Sequence, residues 1–218
     1  MKIITFLVAM LMPVFALAGA YEDMEQALVR KDASEVIKLL DRGMDVNTVD
    51  RTGDTLLTQA VRQDMPELVE YLMQRRARLN NRNRNGETAL SIAAFSGKLA
   101  YVQRLVEAGA EVNYYGWPPL TYASFNGHVE IADYLLKRGA EINAKTENGS
   151  TALYVAARNA HIEVIKLLLQ NKADPTIVNE NGDTAVDAAL KGGNTEIVDL
   201  LRSAGGRSGR SMVIELSK

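Results

Sequence analysis

No cysteine occurs anywhere in the 218 residues. Disulfides, thiolate nucleophiles, cysteine-based metal sites and a lipid-modified N-terminal cysteine are therefore excluded together. An oxidising compartment is tolerated by such a chain but not required. Histidine is nearly as scarce, with only His128 and His161. No His-x-x-x-His pair and no phosphate-cradling glycine loop accompanies them, so the common metal and nucleotide signatures are missing. Charge of one sign is also lacking: 25 basic residues face 27 acidic ones, a net charge of −2. Such a balance points neither to nucleic acid nor to a membrane surface. Aromatic residues make up only 6% of the chain, with a single tryptophan.

What is present is ordinary for a globular chain. Apolar residues reach 47% and charged residues 24%, which argues against wholesale disorder. The length suffices for about one domain with a sizeable core. The first 20 residues stand apart. Lys2 is followed by an apolar stretch from Ile3 to Met12, then Pro13, then Ala18-Gly19-Ala20 ahead of the polar Tyr21. This is the layout of a secretory signal peptide, with cleavage expected after Ala20. Ala16-Leu17-Ala18 is a second possible cut site. An uncleaved anchor is the alternative, but Pro13 and Gly19 interrupt a segment barely long enough to span a bilayer. Loss of Lys2 would leave 24 basic residues against 27 acidic ones. No later segment has the length and apolarity of a membrane span, so no membrane association is expected after cleavage.

The remaining sequence repeats itself. Thr55, Thr88, Thr151 and Thr184 each stand two residues after a glycine, at steps of 33, 63 and 33. The middle step divides into 30 and 33 if Gly116 and Pro118 supply a missing unit. Asn47, Asn80, Asn113, Asn143 and Thr176 keep the same rhythm, as do Gly43, Arg76, Gly109, Gly139, Lys172 and Gly205. Each unit reads as a turn (Asn85-Gly86, Asn148-Gly149, Asn181-Gly182), a threonine N-cap, a short alanine-rich helix, a second turn and a second apolar helix. Glycine at 43, 109 and 139 suits a left-handed helix stop. Six units follow, at about 21–50, 51–83, 84–116, 117–146, 147–179 and 180–205. The first is expected to act as a cap. The last carries Asp187, Lys191 and Asn194 where a solvated outer face needs polarity. Residues 206–218 begin as a flexible linker and end in Met212-Val213-Ile214-Glu215-Leu216, expected to be disordered or a short added strand.

Phrases such as NGSTALYVAARNAHIEVIKLLL and NGHVEIADYLLKRGAEIN resemble the ankyrin repeat family, over residues 21–205. The usual histidine after Thr-Pro-Leu is absent, its place held by Thr58, Ser91, Thr121, Tyr154 and Asp187. The resemblance implies an all-α solenoid of helix-turn-helix units with short hairpin-like turn fingers. It also implies a protein that binds another protein through its concave face and turn tips, without cofactor, metal, nucleic acid or catalysis, and as a monomer. The chain resembles some exported bacterial ankyrin proteins that restrain or protect a periplasmic enzyme, such as a catalase or a cell-wall endopeptidase, and the resemblance implies a role of that kind. An exported effector is the alternative, and an enzyme on this scaffold lacks a candidate site.

Carried onto this chain, the family's exposed tip and first-helix positions give Arg84, Glu87, Phe95, Tyr114, Tyr115, Trp117, Phe125, Asn126, Lys145 and Arg158 as candidate partner-binding residues. Arg82 joins them from the basic run Arg75, Arg76, Arg78, Arg82 and Arg84, which reads either as a solvated face or as a patch for an acidic partner. From Asn113 to Gly116 the interval is three residues where other units have six. The shortened finger is expected to leave a notch walled by Tyr114, Tyr115 and Trp117, with Phe95 and Phe125 beside it. Those aromatics read as recognition anchors, or as a plug filling the gap. Tyr71 and Tyr134 share a second-helix register and read as packing. His128 and His161 share one register as well, and a recurring register favours a structural role.

Overall fold

The computed structural model describes residues 19–209. The expected leader therefore falls almost entirely outside the described residues, as does the chain beyond Gly209. Helix α1 is helical over 19–29. It is followed by α2 (Ala33–Asp41), α3 (Leu56–Gln63) and α4 (Pro66–Gln74) in a first compact unit that extends to Arg78. A second unit starts at Leu79 and holds α5 (Ala89–Phe95), α6 (Leu99–Glu107), α7 (Pro119–Phe125), α8 (Val129–Lys137), α9 (Ala152–Arg158), α10 (Ile162–Gln170), α11 (Ala185–Lys191) and α12 (Thr195–Ser203). The class is all-α. Among the described residues the only β-pairing is an isolated bridge between Val49 and Thr55.

The fingers are tight turns. In each full-length one, a main-chain amide reaches the carbonyl four residues on: Asp50 to Asp54, Asn83 to Glu87, Thr146 to Ser150 and Asn179 to Asp183. A side chain inside the loop completes it. Asn83 Oδ1 accepts from the amides of Asn85 and Glu87, both at 2.9 Å, and Asn179 does the same for Asn181 and Asp183. Such side-chain turns are why Asn and Asp crowd these positions.

The threonines that end the fingers start the helices. Thr55, Thr88, Thr151 and Thr184 each accept the N3 amide, satisfying a donor that no carbonyl within the helix can reach. Helix α7 departs from the pattern: its cap is Pro118, with no side-chain bond, and Pro119 at its first position presets the backbone instead.

Within the second unit the first helices α5, α7, α9 and α11 lie side by side, and α6, α8 and α10 are likewise neighbours. Ala93, Ala123, Ala156 and Ala189 share one register and are fully buried, so backbones approach closely there. Leu90, Leu105, Leu120, Ile131, Leu135, Leu153 and Ile165 fill the space between. The asparagine landmarks have a clear task. Asn80, Asn113 and Asn143 accept the amides of Glu111, Glu141 and Asp174, each one repeat further on. In the first unit Asn47 accepts from Arg78 in the same way, and Tyr71 donates to Asp41 at 2.6 Å.

The end of the stack differs from expectation. Asp187 does not face solvent; it is 7% exposed. Residues 206–209 cover it. Ser208 and the Gly209 amide donate to its carboxylate, and Thr184 Oγ1 donates to the Arg207 carbonyl. The last unit of a repeat array has no following finger, and here the returning chain bonds the polar start of its first helix instead.

Candidate binding face on the first helices of the second unit

Three helix ends are stitched into a row. Asn126 Nδ2 donates to the Phe95 carbonyl at 2.6 Å, and Asn159 Nδ2 to the Phe125 carbonyl at 3.0 Å. His128 Nε2 meets the same Phe95 carbonyl at 3.0 Å, and His161 Nε2 that of Phe125 at 2.8 Å. A carbonyl can only accept, so each ring carries its proton on Nε2. Each imidazole thus shares with an asparagine the last carbonyl of α5 or α7, a group that no amide of its own helix can reach, which is a structural task. Gly97 and Gly127 permit this: a Cβ there would come within 2.7 Å and 2.6 Å of the respective rings, and both residues have positive φ.

The row carries aromatic rings outward. Phe95, 42% exposed, stacks on Phe125 at 6.3 Å between centroids and meets Tyr122 edge-on at 6.0 Å. Trp117 lies 5.3 Å from Tyr122 and 5.9 Å from Phe125. These are favourable aromatic separations. Trp117, Tyr122 and Phe125 are half-buried. Tyr122 was not among the expected residues; it stands three positions before Phe125 on α7, so one helix face presents both.

The tyrosines of the short finger separate from this cluster. Tyr114 turns inward, its hydroxyl 3.5 Å from Thr88 Oγ1, beneath the Arg82 guanidinium, which sits 4.3 Å above the ring. Burial raises its pKa, against the opposing hydrogen bonds from Ser91 and Thr88. Arg82 also donates to the Tyr115 carbonyl at 3.1 Å. Tyr114 and Arg82 therefore brace the gap. Tyr115 is 74% exposed and edges a cavity of about 280 Å³ with Asn113, Tyr114, Glu141, Ala144 and Lys145. The wall imagined as one notch is two features: this opening, and the Phe95–Trp117–Tyr122–Phe125 cluster.

The other candidate residues divide by whether they are already engaged. Glu87 accepts from Asn83 Nδ2 at 2.8 Å and belongs to its own finger. Asn126 holds the row together, as described. Arg84, Lys145 and Arg158 are exposed, with no side-chain partner among the described residues. The basic run is not uniform: Arg75 pairs with Asp41 at 2.6 Å and lies over Tyr71. Tyr134, expected to pack, has a buried hydroxyl without a hydrogen-bond partner among the described residues. Among the described residues no cluster of His, Asp or Glu could hold a metal ion, and no helix is long and apolar enough to cross a membrane.

A family model described as ankyrin repeats (3 copies) matches residues 24–114, 66–146 and 142–209. The chain belongs to the ankyrin repeat family. Among curated proteins it is similar to SH3 and multiple ankyrin repeat domains protein 2 of Homo sapiens, 38% identical over 91 residues. It is also similar to the nuclear factor NF-kappa-B p105 subunit of Rattus norvegicus, 33% identical over 90 residues. These alignments take in 39% and 40% of this chain but only 5% and 9% of those proteins, so the likeness is to their ankyrin repeats. Ankyrin repeats mediate binding to other proteins, and the aromatic row of this ankyrin repeat chain lies on the ends of its first helices, beside the fingers.

Proposed function

We propose that this chain is an exported ankyrin module, periplasmic or secreted, that binds one protein partner and protects, stabilises or inhibits it. A periplasmic enzyme such as a catalase or a cell-wall endopeptidase fits that role. The module works as a monomer and contributes no catalysis of its own. Export is supported by the layout of residues 1–20. The observation that carries the binding role is the outward cluster of Phe95, Trp117, Tyr122 and Phe125. Its helix-end carbonyls are already satisfied by the neighbouring repeat, and its rings, held against one another, act as rigid anchors that lose little rotamer entropy on binding.

The test is affinity capture from periplasmic extract with the full chain as bait, followed by titration of the captured partner. Trp117→Ala is expected to weaken binding by about 2 kcal/mol, in the hot-spot range, with the melting temperature nearly unchanged. A Trp117→Ala chain that unfolds, yet binds as before in its folded fraction, would make the cluster internal packing and move the binding face elsewhere.

A further inference from the structure

Phe95, Phe125, Arg158 and Lys191 are the last residues of α5, α7, α9 and α11, four helices of seven residues each. The amides of Asn126 and Asn159 hold the first three ends side by side. The row is therefore aromatic over two repeats and cationic at the third.

Eight residues before each of these positions stands the residue at the base of the finger. At this register two other units pair a cation with an acid there: Lys191 with Asp183, and in the first unit Arg62, the next-to-last residue of α3, with Asp54 at 3.0 Å. Arg158 has no such acid, because its counterpart is Ser150. Ser150 is buried and its amide is taken up inside the finger by Thr146 and Asn148. Arg158 is exposed, with no partner among the described residues. At the same register the α7 repeat carries Trp117, whose ring packs against Phe125. One repeat thus offers an apolar seat, and the next offers a cation without such an internal acid.

The geometry points to the chemistry of the partner: an extended segment that places an aromatic or large aliphatic side chain on Phe95, Trp117 and Phe125 and a carboxylate on Arg158. This rests on the binding face proposed above and adds what that face selects. A guanidinium suits the task, since its planar fork donates two parallel hydrogen bonds to a carboxylate. Spacing follows from the scaffold. Packed helices lie about 8–10 Å apart and an extended chain advances about 3.3 Å per residue, so the apolar and acidic residues stand roughly three positions apart.

Fluorescence anisotropy on the full chain tests this with three synthetic dodecapeptides in a Gly/Ser/Thr background, titrated to millimolar chain. One carries Phe three positions from Glu, one has Lys in place of the Glu, and one has Ala in place of the Phe. The Phe/Glu peptide is expected to bind about tenfold tighter than either control, since charge complementarity governs the choice of partner. Arg158→Glu, at an exposed site, is expected to fold normally and to reverse the preference in favour of the Lys peptide. Equal binding of the Glu and Lys peptides, an unchanged ranking in Arg158→Glu, or no binding of any peptide overturns the inference. If Trp117→Ala and Phe125→Ala abolish binding without any charge preference, the aromatic face stands and only the acidic partner class fails. If charge preference persists while both aromatic variants bind normally, the face itself is wrong. A chain that sediments as a dimer broken by Phe125→Ala assigns the row to a second copy and overturns the inference too.

Discussion

Two lysine and arginine positions show how a repeat tolerates a poor residue. The left-handed stop after each second helix is glycine at 43, 109, 139 and 205, but Arg76 and Lys172 adopt it with φ of +58° and +68°. A side chain in that region costs about 1–2 kcal/mol, and glycine gives back part of this through the entropy of the unfolded chain. The Lys172 side chain is exposed and has no partner among the described residues, so nothing offsets the strain. Lys172→Gly should therefore stabilise the protein by about 0.5–1 kcal/mol, read as a higher urea midpoint at unchanged slope. A midpoint that stays put or falls would show that the strain is relieved in some other way. The histidines make the opposite point, because each is held at its position by a carbonyl that only the neighbouring repeat presents.

Among the elements, α11 has the most unusual start. Asp187 closes a capping box with Thr184 and also receives the returning chain through Ser208 and Gly209. Burial pushes its carboxyl toward a higher pKa, but the bonds from Ser208, Thr184 and Gly209 outweigh burial and hold it below the ordinary carboxylate value. In the unfolded chain it titrates near the usual value of about 3.9. A depressed folded pKa means that the stabilisation is complete above that value and is lost as pH falls through the folded one. Asp187→Asn should cost about 1–2 kcal/mol at neutral pH, from weakened bonds to a charged acceptor. It should also flatten the loss of stability below about pH 4, measured by urea titrations across the acid range. An equal acid slope in both proteins would show that Asp187 is not the group responsible. The short finger before α7 is the other irregular element. Its missing residues are compensated from within, by Tyr114 under Arg82.

At the scale of the whole chain, the leader and the repeats meet at α1. Gly19 and Ala20 are half-exposed, whereas the contacts that bury α1 are made by Met24, Ala27 and Leu28. A cut after Ala20 would leave that packing in place. Intact-mass measurement of the periplasmic form should show Tyr21 as the first residue, or Gly19 if the alternative site is used. A form that still begins at Met1 would end the export reading. The two compact units, to Arg78 and from Leu79, both follow the same repeat grammar, yet the outward aromatic cluster belongs wholly to the second.

Spacing alone was enough to determine the paired helices of each repeat and the threonine caps of α3, α5, α9 and α11. Those features are local: a threonine two residues after a glycine, an alanine-rich run and a helix-stop position recur at fixed intervals, and short-range hydrogen bonds enforce them. The register placing Phe95, Phe125 and Arg158 at helix ends was legible for the same reason. Tertiary structure decided which side chains are already engaged. Arg82, Glu87 and Asn126 read as available tips, yet each meets a partner four to 33 positions away in sequence. Asp187 read as solvated until a returning segment 21 residues on covered it. Tyr122 stayed hidden because its exposure depends on the rings that neighbouring repeats set beside it. Period fixes where a side chain starts. Whether it ends in solvent or in a bond depends on contacts between repeats, which no single stretch of sequence contains.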